Sequence, residues 1–406
     1  MRKNIFLQLL LILFAIILCP LLRADDFFAV KDQIIAESRF KLGFLYLTPL
    51  LYLENLGYIS NIYTYEEKDR PDWTGDLGLG LRASAIAANR LILQAEDLPI
   101  YSYYLENKSL RAWSNRFQST AYSYVGLLNL KAGYARNDLR QRPYLEFSRP
   151  FHYIDSEWSG ETDIGRLSNL FLTIYARFKK LAYDEDPYME SSNLADSLNH
   201  RENVFGLKLN QRVFTSTFVY ANYERSDYVF ASRSESDTRA QTIALGIEFP
   251  EIGILRGSFQ IGLKRFEPSN PLFQKVQRPN GRGDVHITLF ERLRFNVFYE
   301  LQTYFSYGSN DFLYDNQSFG GGSEVYLTSF LKGGATYQDG RLKYFSFLDL
   351  ELQRSDRLRQ QRYYLAIPFF GNTSLGFAYN IYRLTSDVMN LDYTRKFWGG
   401  FITYEF

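Results

Sequence analysis

The chain of 406 residues contains one cysteine, Cys19, so it closes no internal disulfide. Removal of a leader after Ala24 would leave no thiol at all, which suits a chain that crosses an oxidising compartment. Its three histidines, His152, His200 and His286, lie far from one another and from the cysteine. That spacing excludes a His/Cys metal centre, and no cofactor is expected. Past residue 24 no apolar run is long enough for a transmembrane helix. No amphipathic helix, linker or shift in composition divides the chain, so one large unit is expected. The formal net charge is only +1, which argues against a nucleic-acid partner. Phosphate cradles are missing too: Gly320-Gly321-Gly322-Ser323 has no following lysine, and Gly78 and Gly80 sit inside an alternating stretch.

What the chain has in quantity is aromatic residues, 34 Phe and 32 Tyr, spread along a sequence of negative mean hydropathy. That mixture fits strands showing one face to lipid and the other to water. Leu77, Leu79, Leu81, Ala83 and Ala85 oppose Gly78, Gly80, Arg82 and Ser84. Ile243, Leu245, Ile247 and Phe249 oppose Thr242, Ala244, Gly246 and Glu248. Leu293, Phe295, Val297 and Tyr299 oppose Arg294, Asn296 and Glu300, and Leu348, Leu350 and Leu352 oppose Asp349, Glu351 and Gln353. In water, helices or a second sheet would have to cover the apolar rows. Lipid is the simpler cover.

The two ends of the chain carry addresses. Met1-Arg2-Lys3, an apolar run from Ile5 to Leu22 and a small residue at Ala24 read as a secretory signal peptide, 1–24. An uncleaved anchor is the alternative, and a lipid anchor at Cys19 is disfavoured by the bulk of Leu18 before it. At the other end Trp398, Gly400, Ile402, Tyr404 and Phe406 share one face of a strand that stops with the chain. Such a strand is expected to close a barrel against the first one. Trp398, Ile402, Tyr404 and Phe406 then form the signal read by the outer-membrane assembly machinery. An ordinary C-terminal sheet strand is the other reading.

Short connections are expected at 87–89, 214–216, 291–292, 338–341 and 371–373, and longer polar ones near 59–74, 105–112, 181–201, 267–280, 307–317 and 386–394. This predicts an all-β fold: a transmembrane antiparallel up-and-down β-barrel of eighteen strands, or sixteen if one pair is lost. Its periplasmic turns are short, its extracellular loops longer, and its site is the bacterial outer membrane. The expected division is a leader 1–24, a short periplasmic segment 25–43 and a barrel 44–406. Pro49, Pro143 and Pro150 are expected to bulge or bend their strands.

Several stretches carry a resemblance: Lys41 to Pro49, Leu56 to Ile62, Asp76 to Leu81, Asn222 to Asp227 and Gly253 to Phe266. In these the mature chain resembles the beta-barrel porin type 2 family of bacterial outer-membrane barrels. Members of that family often accompany exopolysaccharide or capsule export systems. The resemblance implies location and architecture, and export components as partners alongside outer-membrane lipid. Its motifs are short, and they imply little about the solute.

No catalytic constellation stands out, and no enzyme is expected. His286 alternates with Asp284 and Thr288 and reads as a polar wall residue more readily than as a catalyst. Arg282-Gly283-Asp284 spells an adhesion tripeptide at a loop edge, and Asp184, Glu185, Asp186, Glu190 and Asp196 form an acidic loop that reads as a solvated surface more readily than a cation site. The informative set is the polar face, with Arg82, Arg90, Lys131, Arg177, Lys208, Arg212, Arg256, Lys264 and Arg294 as candidate lumen residues. Either these pair with acids across strands, or they give a basic lumen that favours anions. Tyr175, Phe298, Tyr304, Phe345 and Phe347 are expected to face inward as stacking surfaces. A porin-like diffusion or export channel for anionic or sugar solutes is the leading function. A plugged structural or surface-binding barrel is the alternative.

Overall fold

The computed structural model describes residues 25–62, 70–87, 90–125, 128–141, 151–165, 169–184, 195, 198–214, 217–290, 292–306, 313–328, 330–346, 354–369, 373–388 and 392–404. A helix α1 (Asp25–Glu37) and a three-residue strand β1 (Phe40–Leu42) come first. Then follow β2 (Leu45–Ile59), β3 (Asp72–Ala87), β4 (Leu91–Tyr104), β5 (Ala112–Val125), β6 (Leu128–Gln141) and β7 (Phe151–Ile164). Next come β8 (Leu170–Tyr183), β9 (His200–Arg212), β10 (Phe218–Phe230), β11 (Thr238–Ile252), β12 (Leu255–Pro268) and β13 (Val276–Leu289). The last are β14 (Leu293–Phe305), β15 (Leu313–Thr328), β16 (Leu331–Phe345), β17 (Arg354–Phe369), β18 (Thr373–Ser386) and β19 (Tyr393–Tyr404). Each long strand pairs antiparallel with the next, and β19 returns to β2, from Phe397 opposite Ile59 to Ile402 opposite Leu53. The result is a closed barrel of eighteen strands.

Closure has a physical cause in the outward rows. Leu79 is 66% exposed and Ile243 65%, and their neighbours on the same face are similarly bare. A soluble protein does not tolerate such a belt, whereas a hydrocarbon core matches it and forbids an open sheet edge. All four tryptophans are on the outward face, each against an aromatic neighbour. Trp398 stacks on Tyr58 at 4.6 Å, Trp73 meets Tyr58 at 5.8 Å, Trp113 meets Tyr101 at 5.1 Å and Trp158 meets Tyr134 at 4.4 Å. Outward aromatic pairs of this kind are favoured at membrane interfaces. The barrel strands β2 to β19 run from 12 residues in β19 to 16 in β3, while about 9–11 tilted residues cross the core. The surplus rises on the extracellular side, where outward residues become charged: Arg225, Asp227 and Arg239 form one ion-paired row.

Four of the expected short turns fall between strands. The fifth, 338–341, lies inside β16, where the ladders to β15 and β17 run straight through Asp339 and Gly340 and Arg357 of β17 reaches the Asp339 carboxylate at 2.6 Å. The connections expected at 267–280 and 307–317 are shorter, since β13 starts at Val276 and β15 at Leu313. Pro49 does not bulge β2. The bulge is at Asn55, whose φ is 54°, and Pro49 lies between the stretch paired to β1 and the stretch paired to β19. Pro143, Pro150, the row 348–352 and residues 1–24 lie outside the described residues.

Two features narrow the ends of the barrel. At the periplasmic end, residues 25–43 are more than an extension: α1 folds against the inner wall. Phe27, Val30 and Ile34 recur at helical spacing and pack on inward Tyr46, Ile86, Ile92, Tyr122 and Tyr124. Arg82 of β3 stands 3.8 Å from Glu37 at the helix end. At the extracellular end the β13–β14 ladder stops at Gly281 opposite Leu301. Beyond it the tops of β14 to β16 lean inward. Their outward-register side chains Phe305, Leu313 and Phe345 therefore pack on the inward face of β10 to β13, at Tyr228, Phe230, Ala240, Phe266 and Val276.

Candidate functional site: the barrel lumen

The inward rows of β6 to β14 enclose a chamber of about 620 Å³. Its shape depends on two cross-strand pairs. Tyr175 of β8 lies opposite Gly206 of β9, and Tyr220 of β10 opposite Gly246 of β11. A β-carbon on Gly206 would sit 2.0 Å from Tyr175 Cζ, and one on Gly246 2.3 Å from Tyr220 Cζ. Only glycine lets these rings lie back along the wall, where they widen the chamber and present a flat face to it. The Tyr175 hydroxyl reaches Asn222 Oδ1 at 3.1 Å and Glu224 Oε2 at 3.0 Å, and the Tyr220 hydroxyl reaches Gln260 Oε1 at 3.1 Å.

The candidate basic residues divide into two groups. Arg82 pairs with Glu96 at 2.6 Å, Arg177 with Glu224 at 3.1 Å, Lys208 with Glu248 at 2.6 Å and Arg294 with Glu324 at 3.4 Å. Lys208 Nζ also stands 4.0 Å from the centre of the Tyr220 ring. Lys131, Lys264, Arg212 and Arg256 have no carboxylate within ion-pair distance among the described residues. Lys131 stands 5.7 Å from the Tyr122 ring, Arg212 5.2 Å from Phe218, and Lys264 lies 3.3 Å from the Tyr228 hydroxyl. Register sets Arg256 opposite His286 on the inward side, near the periplasmic opening. Arg90 is not on the wall: it is an exposed residue of the turn between β3 and β4.

Other candidates find clear places. Arg282 and Asp284 point inward from the middle of β13, so the tripeptide they frame is wall and not loop edge, and Arg282 lines the chamber. His286 Nε2 lies 3.7 Å from Asp284 Oδ2. His152 is on the outward face, between Asp138 at 2.7 Å and Asp184 at 2.5 Å. Phe298 and Tyr304 face inward as expected, with Phe298 laid over Gly320. Phe345 does not: it is on the other face and is buried by the inward lean of its strand. Phe347 is outside the described residues. Among the described residues no group of His, Cys, Asp or Glu is arranged to hold a metal ion.

Aromatic and aliphatic clusters line the wall toward the extracellular end. Tyr304, Tyr314 and Tyr344 stack at 5.6 and 5.4 Å, Leu358, Tyr382, Leu384 and Tyr393 form a second group, and Leu139, Phe151, Tyr153 and Tyr183 a third. The chamber is thus a polar compartment with α1 toward the periplasmic end and, toward the extracellular end, aromatic clusters interspersed with charged side chains such as Glu54, Asp76, Arg116 and Arg395.

No family model matches the chain, and no curated protein matches its sequence. Among solved structures it is similar to OccK9 (OpdG) of Pseudomonas aeruginosa, at 14% identity and a TM-score of 0.50, over 88% of this chain and 97% of that one. It is also similar to OpdK of Pseudomonas aeruginosa, solved with vanillate, at 12% identity and a TM-score of 0.51, over 88% and 98%. Identity this low speaks for fold alone. Joined to the lipid-facing belt, it makes the protein an outer-membrane β-barrel.

Proposed function

We propose that the protein is a passive outer-membrane channel for small anionic solutes, which bind in the chamber on their way through. The observation that carries this is the set of inward cations without carboxylate partners among the described residues, Lys131, Lys264, Arg212 and Arg256. Fixed positive charge along a confined passage between low-dielectric walls concentrates anions. The flat faces of Tyr175 and Tyr220 add stacking surface, so aromatic carboxylates are the favoured class. OpdK, which shares the fold, was solved with vanillate, a molecule of that class. Planar-bilayer recording tests the reading. Anion-directed reversal potentials and concentration-dependent current block by vanillate are expected. Cation preference without block would overturn it.

The plugged alternative draws support from one observation: α1 and the aromatic clusters stand at the two ends of the lumen. A complete lack of conductance would select it. The association with polysaccharide export rests on sequence resemblance alone, and a chamber of this volume suits a small solute better than a polymer. The last strand is read as the assembly signal. Register turns Trp398 and Ile402 outward, and the side chains of Tyr404 and Phe406 lie outside the described ones. Deleting Phe406 should lower the heat-modifiable, inserted fraction.

A further inference from the structure

Ladder register sets Arg341 of β16 directly opposite Arg357 of β17, and Arg359 of β17 directly opposite Arg383 of β18, all four on the outward face. Like charges directly opposed across a ladder destabilise it. Two such pairs side by side need an anion between them. The strands supply one carboxylate, Asp339, which takes Arg357 at 2.6 Å and stands 3.9 Å from Arg359. Arg359 Nε has no hydrogen-bond partner among the described residues. Arg341 and Arg383 have no carboxylate within ion-pair distance among those residues. The guanidinium groups are accessible, with Arg357 46% and Arg359 41% exposed.

Height identifies the source of the missing charge. Tyr337, Tyr363 and Tyr379 occupy the outward rows just below, and Leu365 and Phe377 beneath them are half bare, as lipid-facing residues are. Arg359 is four residues beyond Tyr363, which is about 13 Å along the strand and less along the membrane normal. That level is the headgroup layer above the outward aromatic row Tyr363, Tyr379 and Trp398, not open water. The four arginines are therefore aimed sideways at lipid headgroups of the outer leaflet. Arginine matches phosphate oxygens with paired N–H donors, and anionic headgroups attract basic side chains at this depth. We propose that this face of β16 to β18 binds the phosphate groups of a phosphorylated outer-leaflet glycolipid, one phosphate taking the place of the carboxylates the wall lacks.

The test uses the whole purified barrel in non-ionic detergent, titrated with bis-phosphorylated lipid A, with retained lipid read by native mass spectrometry. Each arginine beside an anionic headgroup contributes about fivefold in affinity. An Arg341→Gln, Arg383→Gln double variant should therefore hold the lipid at least about tenfold more weakly. Dephosphorylated lipid A should not be retained. In lipid-free detergent the same variant should be more stable to urea than the parent, because repulsion is relieved. A purely structural role would make it less stable. Equal retention by parent and variant, or equal retention of the dephosphorylated lipid, overturns the proposal. Displacement of lipid A by equimolar inorganic phosphate would assign the arginines to a soluble anion and overturn the lipid assignment.

Discussion

Phe305 of β14 packs edge-on against Phe266 of β12, with ring centroids 6.1 Å apart, across a stretch where the intervening β13–β14 ladder has ended. Arg278 and Asp315 bridge the same gap at 3.8 Å. The upper barrel is therefore held shut there by side chains and not by backbone hydrogen bonds. Side-chain contacts of this kind break at far lower cost than a ladder. The tops of β14 to β16 are thus the part of the wall best placed to move. A Phe305→Ala, Phe345→Ala double variant should release them and raise single-channel conductance or open time. Unchanged conductance would assign the constriction to the other aromatic clusters.

The glycines beneath the chamber tyrosines give a sharper test of lumen geometry. Gly206→Ala puts a methyl group where the Tyr175 ring now lies, 2.0 Å from Cζ. The ring must swing into the chamber, so conductance should fall while the inserted fraction stays near that of the parent. Adding Tyr175→Ala should restore it. If the single variant conducts like the parent, Tyr175 does not border the conducting path.

Alternation alone told inside from outside along β11 and β12, because a period of two leaves only one lipid-facing row. It put Lys131, Arg177, Lys208 and Lys264 on the inward side. It did not tell which of them carry free charge. Lys208 finds Glu248 and Arg177 finds Glu224 on the next strand but one, partners set by barrel curvature and side-chain reach and not by local spacing. Asp339-Gly340 misled for a related reason. That dipeptide is a strong hairpin signal, and continuous pairing with β15 on one side and β17 on the other overrode it. The α1 helix was written in Phe27, Val30 and Ile34, but so short a pattern next to a leader is easily passed over as an extension. The ended ladder beside β13 has no local signature, since it depends on how three neighbouring strands pack across the lumen.

The two faces of the wall should respond differently to charge. Leu365 is outward and half bare within the lipid-facing belt of β17. Leu365→Arg should cost about 2–4 kcal/mol if the position is near the midplane. Gln302, on the inward row of β14, borders the polar chamber, and Gln302→Arg should cost little. Urea unfolding of the purified barrels compares them directly. Equal losses would mean that the outward face is not in lipid.

Selectivity offers the closest check on the proposed function. Arg177 and Lys208 are matched by Glu224 and Glu248, so each such pair adds little net field to the passage. The field should come from Lys131, Lys264, Arg212 and Arg256, which stand outside ion-pair distance of the carboxylates around them, Glu161 opposite Lys131 and Glu202 and Glu224 near Lys264. Replacing these four with Gln should move the reversal potential toward cations. Exchanging both members of a pair, Lys208→Gln with Glu248→Gln, should move it far less. Salt provides an independent control. The Debye length is about 10 Å at 0.1 M and about 3 Å at 1 M, so the anion preference of the parent should fade between those concentrations. A parent channel that already prefers cations at 0.1 M would place the deciding charge in the extracellular connections, and the inward cations would then serve only to hold the wall together.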